Sequence, residues 1–319
     1  MLDHLNYRAA DTRYNNTDTL YNRCGNSGIL LPKISLGLWK GFGANHPFTE
    51  SLEILHYAFD HGITHFDLAN NYGPPYGSAE ETFGRAMQHS FRPYRDEMFI
   101  ATKAGYDMWP GPYGNWGSRK YLLSSLDQSL KRMNLEYVDL FYSHRYDPNT
   151  PLDETLQALA DAVHQGKALY VGLSRWPADA FDYAYNYLKS QHVRLLTYQG
   201  RYNLLDRAVE SEGILQKVEQ LNTGFVSFSP LAQGLLTNRY LNGIPADSRM
   251  RTDCTLKESL LTPQLIAQLQ KWQYMAKSEN KTLAQYALNW VLRHQAVTSV
   301  IVGVSRLEQL KDNIKCIDS

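Results

Sequence analysis

Short apolar runs recur along the chain: ISLGLW (34–39), ITHFDLA (63–69), MFIATKA (98–104), VDLFYSH (138–144), LYVGLS (169–174), LLTYQG (195–200), GFVSFSP (224–230) and SVIVGVS (299–305). Each is brief and rich in β-branched or aromatic side chains, the pattern of a strand buried on both faces. Between them the apolar positions take up helical spacing. In SLEILHYAFDHG (51–62), Leu52, Leu55, Tyr57 and Phe59 fall toward one face, and Gly62 supplies a stop. SRKYLLSSLDQSLKRMNL (118–135) opens on an N-cap residue, Ser118, and repeats Leu122, Leu126 and Leu130 four apart. TPLDETLQALADAVHQGK (150–167) places Pro151 just inside its start and Gly166 at its end.

Strands alternating with helices predict parallel βα units, and eight of them is the number that closes a (β/α)8 TIM barrel. A length of 319 residues accommodates such a barrel with extensions. A doubly wound sheet is the competing α/β architecture. It places G-x-G-x-x-G after its first strand, whereas GLWKGFG (37–43) spaces its glycines differently. Two features lie outside the eightfold pattern. CGNSG (24–28) reads as the turn of an N-terminal β-hairpin over the barrel bottom. After the seventh strand comes a long loop, SPLAQGLLTNRYLNGIPADSRM (229–250), followed by two amphipathic helices near 263–277 and 282–293. A loop of that length in a compact domain is usually functional. With no linker or low-complexity tract, residues 1–319 read as a single barrel domain.

Charge narrows the functional classes. Lys+Arg and Asp+Glu both number 32, so the chain lacks the strongly basic balance of a nucleic-acid binder. No window approaches the apolar length of a membrane span, and the first residues have no apolar signal core. Cys24, Cys254 and Cys316 are widely spaced and form no CxxC pair. The expectation is a cytoplasmic protein without membrane insertion. No HExxH or comparable spacing is present, so no metal site is expected.

In a barrel the chemistry lies at the C-terminal ends of the strands. Those ends carry Trp39, Asp67 with Tyr72 just beyond, Lys103, His144, Ser174, Gln199 and Phe228. Singly, each titratable member has an ordinary structural reading: Asp67 as a loop cap, Tyr72 as a turn aromatic, Lys103 as a solvated strand end, His144 as a packed imidazole. Together those readings require four coincidences at one rim. The combination suits carbonyl reduction, in which a hydride arriving at carbon leaves charge on oxygen that a positioned acid neutralises. An ammonium beside the tyrosine lowers its pKa, a carboxylate keeps the ammonium charged, and a neutral imidazole donates to the carbonyl oxygen.

These residues sit in HFDLANNYGPPYGSAEETFG (65–84), IATKAG (100–105), VDLFYSHRYD (138–147), GKALYVGLSRW (166–176) and FSPLAQGLLTNRYLNGIPADSRM (228–250). In combination they resemble the aldo-keto reductase superfamily, in the branch of the voltage-gated potassium channel β subunits and bacterial L-glyceraldehyde 3-phosphate or methylglyoxal reductases. The resemblance implies Asp67, Tyr72, Lys103 and His144 as a catalytic tetrad, with Tyr72 the general acid. It implies NADPH bound across the barrel mouth: Trp39 and Phe228 against the nicotinamide, and Ser174, Arg175 and Gln199 at its carboxamide. Ser229, Leu231, Gln233, Gly234 and Arg239 would cover the pyrophosphate, and NRY (238–240) replaces the GKY of many relatives. Gly303, Ser305, Arg306, Gln309, Asp312 and Asn313 match the adenosine end, with Arg306 and Arg249 suited to a 2′-phosphate. Many relatives carry Glu where Asp312 stands, so the shorter arm weakens that contact.

Relatives usually continue beyond the position of Ser319 with a further helical segment. The implied function is NADPH-dependent reduction of small aldehydes, phosphorylated trioses and methylglyoxal-like compounds among them, by a homo-oligomer, tetramer or larger. Two alternatives stand beside it: a slow-turnover redox-sensing accessory subunit of the channel β type, and a Schiff-base aldolase using Lys103. Arg145 and Arg119 read either as contacts for an anionic substrate group or as surface ion pairs. Trp39, Trp109, Trp116 and Trp176 read either as an aromatic mouth or as loop packing.

Overall fold

The computed structural model describes residues 7–246, 248–252 and 256–317. The hairpin pairs β1 (Tyr21–Arg23) with β2 (Leu30–Pro32), antiparallel, around the predicted CGNSG turn. The barrel strands are β3 (Ile34–Gly37), β4 (His65–Asp67), β5 (Phe99–Ala104), β6 (Val138–Ser143), β7 (Ala168–Ser174), β8 (Leu195–Arg201), β9 (Gly224–Phe228) and β10 (Val297–Val302). They close in the order β10-β3-β4-β5-β6-β7-β8-β9, every pair parallel. All eight predicted strands are present.

Helices cover the barrel because each presents an apolar stripe. In Arg119–Met133 the stripe is Leu122, Leu126 and Leu130, all buried. Ser118 is its N-cap, accepting a hydrogen bond from the Tyr121 N–H, an arrangement worth about 1 kcal/mol. Pro151 differs from its expected place: it is the N-cap of Leu152–His164, in extended conformation, one residue before the first helical turn. Its ring precedes the ladder and removes no helical donor. Thr262 and Thr282 cap the two helices that follow the long loop, Pro263–Ser278 and Leu283–Leu292.

Two apolar layers result. One lies between strands and helices; the other fills the barrel, with Leu31 of the hairpin joining Phe99, Ala101, Leu140, Tyr142, Val226 and Ile301. The alternation along β5 that sends Phe99 and Ala101 inward puts Lys103 at the top of the same row. The long segment after β9 builds small clusters of its own, Leu235, Tyr240, Met250 and Leu256 in one, and Leu236, Leu269, Leu283 and Ala287 in the other.

Candidate active site

Backbone pairing continues past the end of β4 and fixes the loop that follows it. Leu68 N–H donates to Ala101 O and Asn70 N–H to Lys103 O, both at 2.9 Å. A tight turn then carries Tyr72, whose N–H donates to Ala69 O at 3.0 Å, and Tyr72 O accepts from the Ala79 N–H at 3.3 Å. On the other side, the His144 N–H donates to Ala104 O at 2.9 Å, tying it to the end of β5.

The four titratable residues meet as the strand-end argument requires. Lys103 is fully buried; its Nζ donates to Asp67 Oδ2 at 2.5 Å, to Leu68 O at 2.7 Å and to the Tyr72 hydroxyl at 3.4 Å. The solvated-strand-end reading of Lys103 is thereby excluded. Asp67 Oδ1 accepts from Gln199 Nε2 at 3.0 Å. The Tyr72 and His144 rings meet edge to face at 5.8 Å, and Trp39 lies 6.5 Å from Tyr72 on the outer side.

Environment sets the protonation states. Burial and then the Asp67 charge hold the Tyr72 phenol well above its ordinary value. The expectation that the ammonium would lower it is corrected: Lys103 is closest to Asp67 and the Leu68 carbonyl, and reaches the phenol only at 3.4 Å. Burial, then the charges of Lys103, Arg175 and Arg145, push His144 well below 6.5. Its buried Nδ1 has no hydrogen-bond partner. Burial also lowers Lys103, while Asp67 opposes the shift.

From this cluster a cleft of about 450 Å³ runs between the barrel top and the long loop to the helix Leu307–Ile314. Trp39, Asp67, Tyr72 and Phe228 line its head; Ser229, Leu231, Gln233, Gly234 and Arg239 line the loop wall. Gly303, Ser305, Arg306, Gln309, Asp312 and Asn313 line its far end. Ser174 and Gln199 are buried side by side in register on β7 and β8, beneath the cleft rather than on its wall. Arg175 is exposed, with left-handed backbone, and sends its guanidinium to the Tyr106 hydroxyl. The Arg249 side chain lies outside the described residues.

Asn238 and Tyr240 of the NRY stretch also line the cleft, as do Lys40, Thr237 and Thr282, which no sequence pattern singled out. Lys40 follows Trp39 directly, so its place beyond the first strand was the available signal. Asp312, on the wall of the far end, also has a structural role. Its carboxylate accepts from Gln285 Nε2 at 2.8 Å and Thr282 Oγ1 at 3.2 Å, and so helps fix the start of helix Leu283–Leu292.

The residues fit a dinucleotide. The cleft is elongated and joins the Lys103–Asp67–Tyr72 cluster to a helix N-terminus. Gln233 Oε1 is buried on its wall without a partner. At Gly303 an added Cβ would meet nothing nearer than Gly37 O at 3.8 Å, leaving open space that a side chain would fill. Lys40, Arg239 and Arg306 supply positive charge for phosphates. Left-handed backbone at Ser229, Ala232, Gln233 and Gly234 marks the loop as a shaped element.

Of the four tryptophans weighed for the mouth, Trp39 and Trp116 stand at the surface, 42% and 39% exposed, whereas Trp176 is core and donates from Nε1 to Ser143 Oγ. Trp109 packs its ring on Tyr121. Arg119 pairs with Asp161 and serves as an ordinary ion pair.

An eight-stranded parallel barrel with a buried Lys–Asp–Tyr cluster heading a dinucleotide-shaped cleft defines a barrel oxidoreductase. The chain belongs to the aldo/keto reductase family, a family of nicotinamide-dependent oxidoreductases whose profile matches residues 33–319. It is 53% identical over 304 residues to the L-glyceraldehyde 3-phosphate reductase of Escherichia coli K12, covering 94% of this chain and 88% of the relative. A probable voltage-gated potassium channel subunit beta of Arabidopsis thaliana is 33% identical, covering 93% and 91%. The crystal structure of a thermostable aldo-keto reductase, Tm1743, in complex with the inhibitor epalrestat has a TM-score of 0.73 at 28% identity. It covers 94% of each chain. Among the described residues, no helix is long and apolar enough to cross a membrane and no group of side chains could hold a metal ion.

Proposed function

We propose that this protein is an NADPH-dependent reductase of small aldehydes, with Asp67, Tyr72, Lys103 and His144 as its catalytic groups. The observation that carries the reading is the Tyr72–Lys103–Asp67 contact, with His144 against the same tyrosine, at the head of an elongated cationic cleft. A bound nicotinamide would supply the hydride. Trp39 and Phe228 would flank its ring, Ser174 and Gln199 its carboxamide, and the Ser229–Arg239 loop its pyrophosphate; the Arg175 guanidinium turns to Tyr106 instead.

The chain's own part is to hold and deliver a proton. Tyr72 stays protonated because burial and Asp67 disfavour the phenolate, so a proton is available to an oxygen that becomes basic as carbon is reduced. Lys103, donating to the Tyr72 hydroxyl, stabilises the phenolate left behind. Asp67 keeps that ammonium charged and aimed. A neutral His144 donates a hydrogen bond to the carbonyl oxygen and orients it. The three hydrogen bonds that Lys103 already makes argue against its use as a Schiff-base nucleophile.

Arg306 supports NADPH over NADH. It is exposed at the N-cap of Leu307–Ile314, where a guanidinium and helix N–H groups suit a 2′-phosphate. Arg306→Ala should weaken NADPH about tenfold in a fluorescence titration and leave NADH nearly unchanged. Equal losses would remove that assignment. The reading includes a homo-oligomer of four or more subunits, which a monomer mass by light scattering would overturn.

The decisive experiment is NADPH oxidation at about 340 nm with a panel of aldehydes, beside titrations of both nucleotides. Binding with turnover supports the reductase. Tight binding without turnover would favour an accessory subunit of the channel β type.

A further inference from the structure

Two guanidinium groups converge on one tyrosine beside His144. Arg175 NH1 donates to the Tyr106 hydroxyl at 3.1 Å, and the guanidinium carbon of Arg145 lies 4.4 Å from the centre of the same ring. Tyr106 in turn meets the His144 ring edge to face at 4.7 Å. Arg145 is held firmly: Nε donates to Gly105 O and NH2 to Asn115 Oδ1, both at 2.7 Å, while Trp116 stacks 3.5 Å from the guanidinium.

No carboxylate among the described residues comes within 4.0 Å of either guanidinium. Elsewhere Arg95, Arg119, Arg132 and Arg207 are each paired with an acid. The nearby acids have other partners, Asp107 accepting from Asn115 Nδ2, and Asp147 from the Gly117 N–H and Thr150 Oγ1. Trp116 and Arg175 both hold left-handed backbone, with φ of 72° and 59°, which non-glycine residues rarely adopt. Their charge reaches the reaction centre, since both arginines contribute to the depression of His144. Tyr106, Trp116 and both arginines lie off the walls of the dinucleotide cleft.

We propose that Arg145, assisted by Arg175, forms a subsite on the His144 side of the mouth for an anionic group carried by the aldehyde, a phosphate or carboxylate a few carbons from the carbonyl. The inference rests on the reductase reading above and names the part of the substrate that this rim recognises. Two of the five guanidinium donors of Arg145 anchor it to Gly105 and Asn115; the remainder are left for a ligand. Stacking against Trp116 and Tyr106 restricts the side chain beforehand, so little rotamer freedom is lost on binding.

Glyceraldehyde 3-phosphate and glyceraldehyde share the reacting carbonyl and differ in the phosphate. The native protein should show a KM for the phosphorylated compound about tenfold or more lower. Arg145→Gln should erase most of that gap, and Arg145→Lys, which keeps charge but loses the fork, should restore part of it. Succinic semialdehyde against butyraldehyde separates a carboxylate from a phosphate preference. Inorganic phosphate titrated into the NADPH-saturated protein reads the subsite without turnover, and Arg145→Gln should weaken it about tenfold. Proportional losses on charged and uncharged aldehydes in Arg145→Gln would make the residue a loop strut and overturn the subsite. Reduction of glyceraldehyde with no preference for its phosphate would overturn it too, leaving the reductase reading intact. Failure of the native protein to reduce either aldehyde would reject that reading, while the phosphate titration still reports on the subsite.

Discussion

Burial decides the protonation state of each residue at the mouth. A phenol placed between an ammonium and a carboxylate could shift either way, and distances resolve it. Lys103 lies 2.5 Å from Asp67 and 3.4 Å from Tyr72, so the proton stays on the phenol until an oxygen needs it. Tyr72→Phe removes the proton and leaves the cleft contacts. It should lower kcat by about 10²–10⁴-fold while the NADPH dissociation constant changes little, and undiminished turnover would remove Tyr72 as the acid. The same shifts set the pH profile. His144, displaced downward, remains neutral until pH falls well below 6.5, and Tyr72, displaced upward, keeps its proton beyond 10. Neither group should therefore give a limb across the neutral range, and the alkaline loss of aldehyde reduction should follow Lys103, whose ammonium burial shifts below its ordinary value and which loses its charge as pH rises. A descending limb centred on the ordinary histidine value would show that His144 is not held neutral. These residues were legible because a barrel presents its strand ends at one rim. Lys40 and Thr282 were not, because their place depends on how loops fold back over that rim.

At the scale of elements, local chemistry spoke clearly wherever burial repeated with a fixed period. The strands and the Ser118 cap follow from side chains within a few residues of each other. The segment Met87–Glu97 carries no such period. It forms a π turn followed by 3-10 turns, shaped by Phe91 packing against Phe59 and Phe66. Long-range polar ties were equally silent. Glu80, fully buried on helix Ser78–Ala86, accepts from Thr102 Oγ1 at 2.6 Å and from Arg132 Nε at 2.7 Å. It joins that helix to β5, one residue before Lys103, and to helix Arg119–Met133. Glu80→Ala leaves a mostly buried guanidinium without its carboxylate and should cost about 3–5 kcal/mol. A urea midpoint within error of the native protein would show that the tie is dispensable. The helix also holds the Tyr72 loop through the Ala79 N–H, so kcat should fall along with stability.

Across the whole molecule, the cleft separates two bodies of unequal strength. The barrel and its helices share one large apolar cluster, whereas the loop that forms the other wall packs in two small ones. Sequence length marked this loop as functional, but its path was beyond reach, since few of its positions repeat. Few buried contacts make a segment open at lower free energy than the core around it. Gln233 and Arg239 line one side of the cleft and Ser305 and Arg306 the other, so a dinucleotide bound there would tie the weaker body to the stronger. Binding then stabilises the native state by mass action, about 2.7 kcal/mol at a hundredfold excess over the dissociation constant. NADPH at that excess should raise the thermal midpoint by several degrees and slow proteolytic nicking between residues 231 and 250 more than nicking elsewhere. The loop's share is separable from the barrel's. A midpoint that rises while loop cleavage is unchanged would mean that the nucleotide is held by the barrel rim alone, with the loop wall standing clear of it.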